Sequence, residues 1–518
     1  MPQEGSFIGR GRSEAADRRW NRGALALPAL VLLALLVRVW GLSADLPYLY
    51  NADEPGNLAV VDRMVSEGEA NPRFFNYPSL FFYLQAFVHL DGPLLFWLPG
   101  DQEQAPTAMV LGSWRSSSPI AVLVHRGLSV FLGMLVVVIV WLTTRRLTRG
   151  HLAAAVAAAL VALSPTLIEQ SRYVTPDILA AALVATGCLF AVRLQQSGTL
   201  PAHALAGLSV GLAASAKYNA AVVAVAVAAG SVLCARPGRA RRMLVGLPIA
   251  ALVAVVGFLA TTPYALLERM AFLEALRFER AHYATGHSGM EGSTLRFYAS
   301  YLLTHEAILG VLAAVGIVML LSQRTRQHWR PSAVLVTFPL VYGVAIATLP
   351  VRNDQTVMLV LPPLAVLAGL AVESLRRTPA ARAHGRAVMT AVAVAALVLA
   401  YGAWTTLPAR GPTTYEAAQD WLDEHAAPGA AILVESYSPW LDPRRYDVVA
   451  RALLISEPLP ASTEADYVIA SEGMYGRFLD DPRRYPEQAA AYRALFASLP
   501  EAATFTGAGP TIRIFRSS

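Results

Sequence analysis

Apolar runs long enough to cross a bilayer recur along the chain, centred near residues 33, 131, 157, 186, 209, 226, 252, 311, 340, 365 and 396. This leaves few folds open. In hydrocarbon each backbone N–H and C=O must be paired within its own segment or a closed sheet, and runs of this length pair as helices. With 55 % hydrophobic and 15 % charged residues, the 518-residue sequence predicts a polytopic α-helical membrane protein of about eleven spans. The first run, from about Ala24 to Leu42, reads as a retained span and not a removable signal peptide. It is long, has no clear small-residue cleavage site, and many spans follow.

Charge sets the sides. The formal net charge of +6 is gathered in short arginine clusters between apolar runs. That pattern means topology and lipid headgroup contact, not nucleic-acid binding, which needs a basic face on a soluble module. A basic head, residues 1–23 with Arg10, Arg12, Arg18, Arg19 and Arg22, places the N-terminus in the cytoplasm. Alternating sides then put Arg145-Arg146-Arg149, Arg193, Arg236-Arg239-Arg241-Arg242, Arg324-Arg326-Arg330 and Arg376-Arg377-Arg382-Arg386 in the cytoplasm as well. Cys188 and Cys234 have neither metal-type spacing nor a disulfide framework around them. Of 42 basic residues Lys217 is the single lysine, and an ammonium is not interchangeable with a guanidinium.

The multi-span domain is expected over 24–405, with external loops at 43–118 and 263–300. In the first loop Tyr77 to Leu98 is apolar and aromatic enough to span, but a crossing there would move every later arginine cluster outside. It therefore reads as an interfacial or re-entrant segment; the alternative, a true span, requires the loss of one crossing elsewhere. Pro55 marks a helix start with Asp53 or Glu54 as cap, and Leu58, Val61 and Val65 lie opposite Asp62 and Glu69, as in a helix on the membrane surface. Beyond Trp404 the composition becomes that of a soluble domain. Thr413 to Glu416 form a capping-box pattern before a helix around Trp421. Strand-like runs follow at Ala431–Glu435, Asp466–Ala470, Ala503–Phe505 and Thr511–Phe515, with a helix near Gln488–Phe496. Residues 411–518 are thus expected to form a small extracytoplasmic α/β domain, in which no catalytic motif is evident.

Polar residues gather at the external ends of the spans: Asp53, Glu54, Arg172, Asp177, Lys217, His282, His287 and Arg352. Each has a plain reading. Asp177 can cap its helix, Arg172 and Arg352 can anchor at headgroups, and Lys217 beside Tyr218 can be a solvated turn residue. His282 and His287, with Glu279 one turn before His282, are a weak pattern for metal ligation. Together they suggest an external cavity in which cations hold a phosphate and carboxylates act on a hydroxyl.

The order of these pieces resembles the polyprenyl-phosphate-sugar-dependent glycosyltransferases of the GT-C fold. Most similar are the glycosyltransferase family 39 and protein O-mannosyltransferase group, with the lipid A aminoarabinose transferases as cousins. The matching stretches are Asp53-Glu54, Tyr77 to Leu84, Arg172 to Asp177, Gly211 to Asn219 and Arg352 to Pro363, over most of residues 24–405. Cousins often carry Lys-Pro-Pro-Leu where this chain has Asn76-Tyr77-Pro78-Ser79, so a residue that in some relatives helps hold the lipid phosphate or a metal is absent. The resemblance implies a sugar donor on a polyprenyl phosphate, an outward-facing site, a hydroxyl acceptor (protein, lipid or envelope glycan) and inversion at C1. Asp53 is then the expected base, its pKa lowered by a helix N-terminus, with Glu54 orienting the acceptor or assisting a metal. Lys217, Arg352 and Arg172 are candidates for the phosphate, and Asp177 and Tyr218 complete the substrate-binding set. His282 and His287, with Tyr283 and Glu279, are candidates for sugar or metal contact. No cofactor is certain; a divalent metal ion is the one in view, with Glu54, His282 and His287 as candidate ligands. The expected partners are the lipid-linked donor, the acceptor and the bilayer of the cell membrane. The rival reading is a transporter or flippase of lipid-linked sugars, which should show internal repeats and charges near the bilayer midplane. A membrane scaffold would leave the external cluster unexplained.

Overall fold

The computed structural model describes residues 25–89, 114–234, 240–285, 292–322, 329–379, 383, 385–407, 411–457 and 465–517. The basic head and Arg236, Arg239, Arg324, Arg326 and Arg382 lie outside the described residues, as does His287. Each expected apolar centre falls in a helix. In order these are Ala26–Val39, Pro119–Thr148, His151–Ala162, Asp177–Ser197, Leu200–Ala216, Ala224–Cys234, Ala240–Thr261, Ala307–Leu321, Trp329–Ala347, Leu361–Arg376 and Gly385–Thr405. Among the described residues four single helices have the length and composition to cross a membrane: Pro119–Thr148, Asp177–Ser197, Met243–Thr261 and Trp329–Ala347. Thr294–Thr304 and Ala307–Leu321 qualify as a pair bent by 106°. Others, such as His151–Ala162, are shorter than a bilayer-spanning helix.

The bundle turns apolar side chains outward. Leu32, Leu36, Leu244, Leu252, Leu340, Val344 and Leu397 are all exposed. Water would not tolerate so much apolar surface, but lipid does, and the molecule is membrane-embedded. Inside, helices are drawn together by small residues. Gly207 and Gly211 sit so close to helix Ala240–Thr261 that a Cβ on either would collide with the carbonyl of Ala250 or Ala254. Arg38 is fully buried and ends helix Ala26–Val39; its guanidinium donates to the carbonyls of Ala162 (2.9 Å) and Val161 (3.1 Å) and to Ser171 Oγ (3.2 Å). Those carbonyls are the unpaired C-terminal end of helix His151–Ala162, where a cation is favoured. Gly133 leaves the space this requires, since a Cβ there would reach Arg38 Nε at 2.9 Å.

The first external loop builds the site. Two short strands, β1 (Tyr48–Leu49) and β2 (Trp114–Arg115), pair antiparallel across it. Helix Glu54–Ser66 buries Leu58, Val60, Val61 and Met64, so it packs into the bundle core and does not simply lie on a surface. Helix Ser79–Phe87 has nine residues, about 13 Å at 1.5 Å per residue, and cannot cross a core of roughly 30 Å. Residues 90–98 of that segment lie outside the described residues. Helix Arg269–Thr285, in the second loop, has no fully buried side chain. It is latched to the first loop by Asn71 Nδ2 to Glu268 Oε1 (2.5 Å) and Asn76 Nδ2 to Glu279 Oε1 (2.7 Å). The Phe272 ring adds an edge contact to Phe75 and another to Tyr218.

The C-terminal residues form a five-stranded sheet of β3 (Ala431–Glu435), β4 (Asp447–Arg451), β5 (Tyr467–Ser471), β6 (Glu501–Phe505) and β7 (Ile512–Arg516), in the order β4-β3-β5-β7-β6. β3 is parallel to β4 and β5, while β7 is antiparallel to β5 and β6. Alternation divides its core in two, as the pleat dictates. Ile432, Val434, Ile469, Ile512 and Ile514 pack with Ala418 and Leu422 of helix Thr414–His425. Leu433, Val468, Ala470 and Phe515 pack with Phe478, Tyr492 and Leu495 of helices Glu472–Leu479 and Pro486–Ser498. Thr413 and Glu416 close the capping box that starts helix Thr414–His425.

Candidate functional site

Asp53 stands at the N-cap of helix Glu54–Ser66, but Asn51 makes the side-chain cap bonds. Its Oδ1 accepts from the backbone N–H of Asp53 (3.1 Å) and of Glu54 (3.2 Å), and the Asp53 side chain makes no cap bond. The Asp53 carboxylate is thereby released to face other groups. It senses Asp177 and Lys217, and the neighbouring Gln355 and Tyr77 side chains favour its charged form. The expectation of a lowered pKa is overturned. Burial, and after it the charge of Asp177, pushes the carboxyl above its ordinary value against the pull of Lys217, Gln355 and Tyr77.

Lys217 is not a solvated turn residue. Only 7 % exposed, its Nζ donates to Asp177 Oδ1 at 2.5 Å and lies 5.7 Å from the centre of the Tyr77 ring. Asp177 is the first residue of helix Asp177–Ser197 and places Oδ1 in this pair; its Oδ2 is buried with no hydrogen bond among the described residues. The next two residues hold the turn in place. Tyr218 Oη donates to the Phe75 carbonyl (2.8 Å), and Asn219 Nδ2 donates to Tyr342 Oη (3.0 Å). Tyr283, on helix Arg269–Thr285, senses Lys217, Asp177 and Asp53, and burial raises its hydroxyl pKa. Asp53, Tyr77, Asp177, Lys217, Tyr283 and Gln355 thus form one cluster from six segments of chain.

Glu54 points elsewhere. It is fully buried and paired with Arg126 in a fork: Nε to Oε1 at 2.8 Å and Nη2 to Oε2 at 2.7 Å. Oε1 also accepts from the Val174 N–H (3.1 Å), and Arg126 Nη1 donates to the carbonyls of Leu42 (2.8 Å) and Ala44 (3.2 Å). With both oxygens engaged, Glu54 fixes the loop instead of orienting a substrate or ligating a metal. Among the described residues no group of three His, Cys, Asp or Glu side chains is placed to hold a metal. His282 stacks on Phe278 at 6.2 Å.

The two arginine candidates make contacts of their own. Arg172 donates to the Val37 carbonyl (2.8 Å) and to the Thr406 carbonyl, at the ends of helices Ala26–Val39 and Gly385–Thr405. It clasps two helix C-termini, as Arg38 does one. Arg352 lies 5.7 Å from the Phe297 ring and against Gly292, three residues before Gln355. Sequence reasoning missed Arg126, Gln355 and the Tyr77 contact. Arg126 alone left a trace, a charge seven residues inside the apolar helix Pro119–Thr148.

Residues 122–266 match the family of dolichyl-phosphate-mannose-protein mannosyltransferases. The fold is shared with ArnT from Cupriavidus metallidurans bound to undecaprenyl phosphate, at 14 % identity and a TM-score of 0.55, over 95 % of this chain and 97 % of that one. The apo state of the same protein matches with a TM-score of 0.53, 14 % identity, and coverage of 97 % and 98 %. No curated protein matches the chain in sequence. The resemblance to GT-C-fold glycosyltransferases with polyprenyl-phosphate sugar donors therefore stands on a family match within the bundle and a shared fold along nearly the whole chain.

Proposed function

We propose that the protein is a membrane glycosyltransferase that moves a sugar from a polyprenyl-phosphate donor to a hydroxyl acceptor on the extracytoplasmic face, with inversion at C1. The observation that carries this reading is the meeting of Asp53 with the Asp177–Lys217 pair at the end of the spans. In the transfer the acceptor oxygen bonds to C1 as the C1–O bond to phosphate breaks. The bond electrons leave with the polyprenyl phosphate, and the acceptor proton passes to Asp53. One displacement, with base and leaving group on opposite faces of the sugar, inverts C1. Phosphate needs little acid help to leave; it needs positive charge. Lys217 has three N–H donors and spends one on Asp177, so two remain for the departing oxygens. Asp177 keeps the ammonium charged and aimed. The raised pKa of Asp53 suits a general base better than the low value expected from a helix N-terminus, because proton affinity rises with pKa.

The test uses membranes and a labelled polyprenyl-phosphate sugar. Asp53→Asn should lose about 100-fold or more of transfer, the usual contribution of a general base. Full transfer by this variant would remove Asp53 as base, and unchanged activity in Lys217→Ala would remove Lys217 from the phosphate site. A covalent glycoside formed by the purified protein separates this reading from a transporter.

A further inference from the structure

A cavity of about 660 Å³ lies between the bundle and the C-terminal sheet unit. The bundle lines it with Asp45, Glu169, Arg172 and Tyr301, and the C-terminal unit with Tyr415 and Glu416. Its size is that of a small-molecule site. None of Asp53, Tyr77, Asp177 or Lys217 lines it, yet the two sites adjoin. Asp53 faces the cluster, while its neighbour Glu54 holds Arg126, a wall residue of the cavity. Glu169 senses the charge of Asp354, next to Gln355.

The polar inventory says what fits. Arg126 is neutralised by Glu54. Arg172, 7 % exposed, gives its terminal nitrogens to carbonyls, but its Nε is buried with no partner among the described residues. Asp45 and Glu169 lie on the wall with no ion pair or side-chain hydrogen bond to their carboxylates among the described residues. Asp45 holds this place at φ 66°, a left-handed conformation that Asp tolerates. Burial pushes both carboxyls above their ordinary values. Tyr301 stacks on His305 at 4.4 Å and 12°, giving the wall a flat aromatic face. With two unspent carboxylates against one cation, the cavity disfavours a phosphate. Hydrogen-bond acceptors and aromatic faces suit an uncharged ring bearing many hydroxyls.

We propose that this cavity is the acceptor subsite and takes a neutral saccharide, whose hydroxyls donate to Asp45 and Glu169. The C-terminal unit supplies the opposite wall. The proposal rests on the glycosyltransferase reading and narrows its acceptor to a glycan. The full-length protein in lipid nanodiscs is titrated calorimetrically with neutral gluco-, galacto- and manno-configured di- and trisaccharides. At least one should bind saturably, with affinity reduced tenfold or more in Asp45→Asn/Glu169→Gln and in Tyr415→Leu, and within twofold of wild type in Gly127→Ala, where a Cβ meets nothing within 4 Å. The two carboxyl substitutions keep shape and remove charges the fold resists, so a thermal midpoint no lower than wild type accompanies the loss. Absence of saturable binding by every saccharide, or unchanged affinity in the double variant, overturns the subsite. Adding labelled donor to the same samples separates the two claims. Binding without transfer counts against the glycosyltransferase reading and leaves the saccharide site; transfer to another acceptor class without saccharide binding does the reverse.

Discussion

Asp53 and Glu54 are neighbours with opposite duties, and chemistry at the scale of single atoms divides them. Glu54 has both oxygens engaged by Arg126 or the Val174 N–H, while Asp53 is kept available because Asn51 takes over the helix cap. Two contrasting outcomes follow. Glu54→Gln leaves the Arg126 guanidinium buried without its counter-charge, a loss of about 3–5 kcal/mol. It should lower the thermal midpoint or abolish monodisperse protein in detergent, and a compensating Arg126→Gln should recover part of it. Asp53→Asn should go the other way. A carboxyl whose folded pKa is raised favours the fold only while protonated, and that advantage is lost as pH rises through the folded pKa. Near neutral pH the charged Asp53 therefore costs stability, and the amide should raise the midpoint while removing transfer. The same shift sets the pH profile. Transfer needs the carboxylate, so the rate should fall on acidification through an apparent pKa above that of an ordinary Asp. Asp177→Asn, which removes a repelling charge and leaves Lys217 to Asp53, should move that limb to lower pH in a rate-against-pH series. Asp53, Asp177 and Lys217 were legible in the sequence because charge at the end of an apolar run is conspicuous. Arg126, Gln355 and Tyr77 were not, since their roles depend on contacts between segments far apart in the chain.

Elements carry the cluster. Lys217 stands at the C-cap of helix Leu200–Ala216, and that helix is set against Ala240–Thr261 by backbone contact at Gly207 and Gly211. Gly211→Val puts a branched side chain where a single Cβ already collides with the Ala254 carbonyl. Overpacking of this kind costs about 1–3 kcal/mol. The expected outcome is a lower thermal midpoint together with reduced transfer, because the displaced helix carries Lys217 with it. Gly127→Ala, where a Cβ meets nothing within 4 Å, should leave both unchanged. A Gly211→Val protein with wild-type stability and transfer would show that the close approach does not position the lysine. At this scale apolar periodicity served well: each expected centre lies in a helix, and the strand runs near 431–435 and 511–515 coincide with β3 and β7 within a residue. The edge strand β4 was missed, because Asp447-Val448-Val449-Ala450-Arg451 lacks the alternation that burial of one face imposes. The surface position expected for helix Glu54–Ser66 failed for a related reason. Its apolar stripe meets the bundle core, and a stripe alone does not distinguish core from lipid.

Across the whole molecule, the cavity needs the bundle and the C-terminal unit held in one geometry. An aromatic ladder does this: Tyr50 stacks on Tyr415 at 4.0 Å and 19°, and Tyr48 lies 5.5 Å from Trp440. Tyr48 belongs to β1, whose partner strand β2 carries Arg115 to within 5.9 Å of the same Trp440 ring. The loop that presents Asp45 and Asp53 is therefore the loop on which the C-terminal unit rests. None of this was legible beforehand. Aromatic residues in a loop read as interfacial anchors until a partner surface is present, and the sequence gives no sign that residues near 48 and 415 meet. An aromatic pair contributes about 0.5–1.5 kcal/mol beyond its buried area, or roughly two- to tenfold in a docking equilibrium. Tyr50→Ala should thus speed amide hydrogen exchange by about that factor at both Tyr48–Leu49 and Thr413–Glu416, while exchange within β3 and β5 stays at its wild-type rate. Faster exchange at the loop alone would mean that the C-terminal unit is held by other contacts and that the ladder only orders the loop.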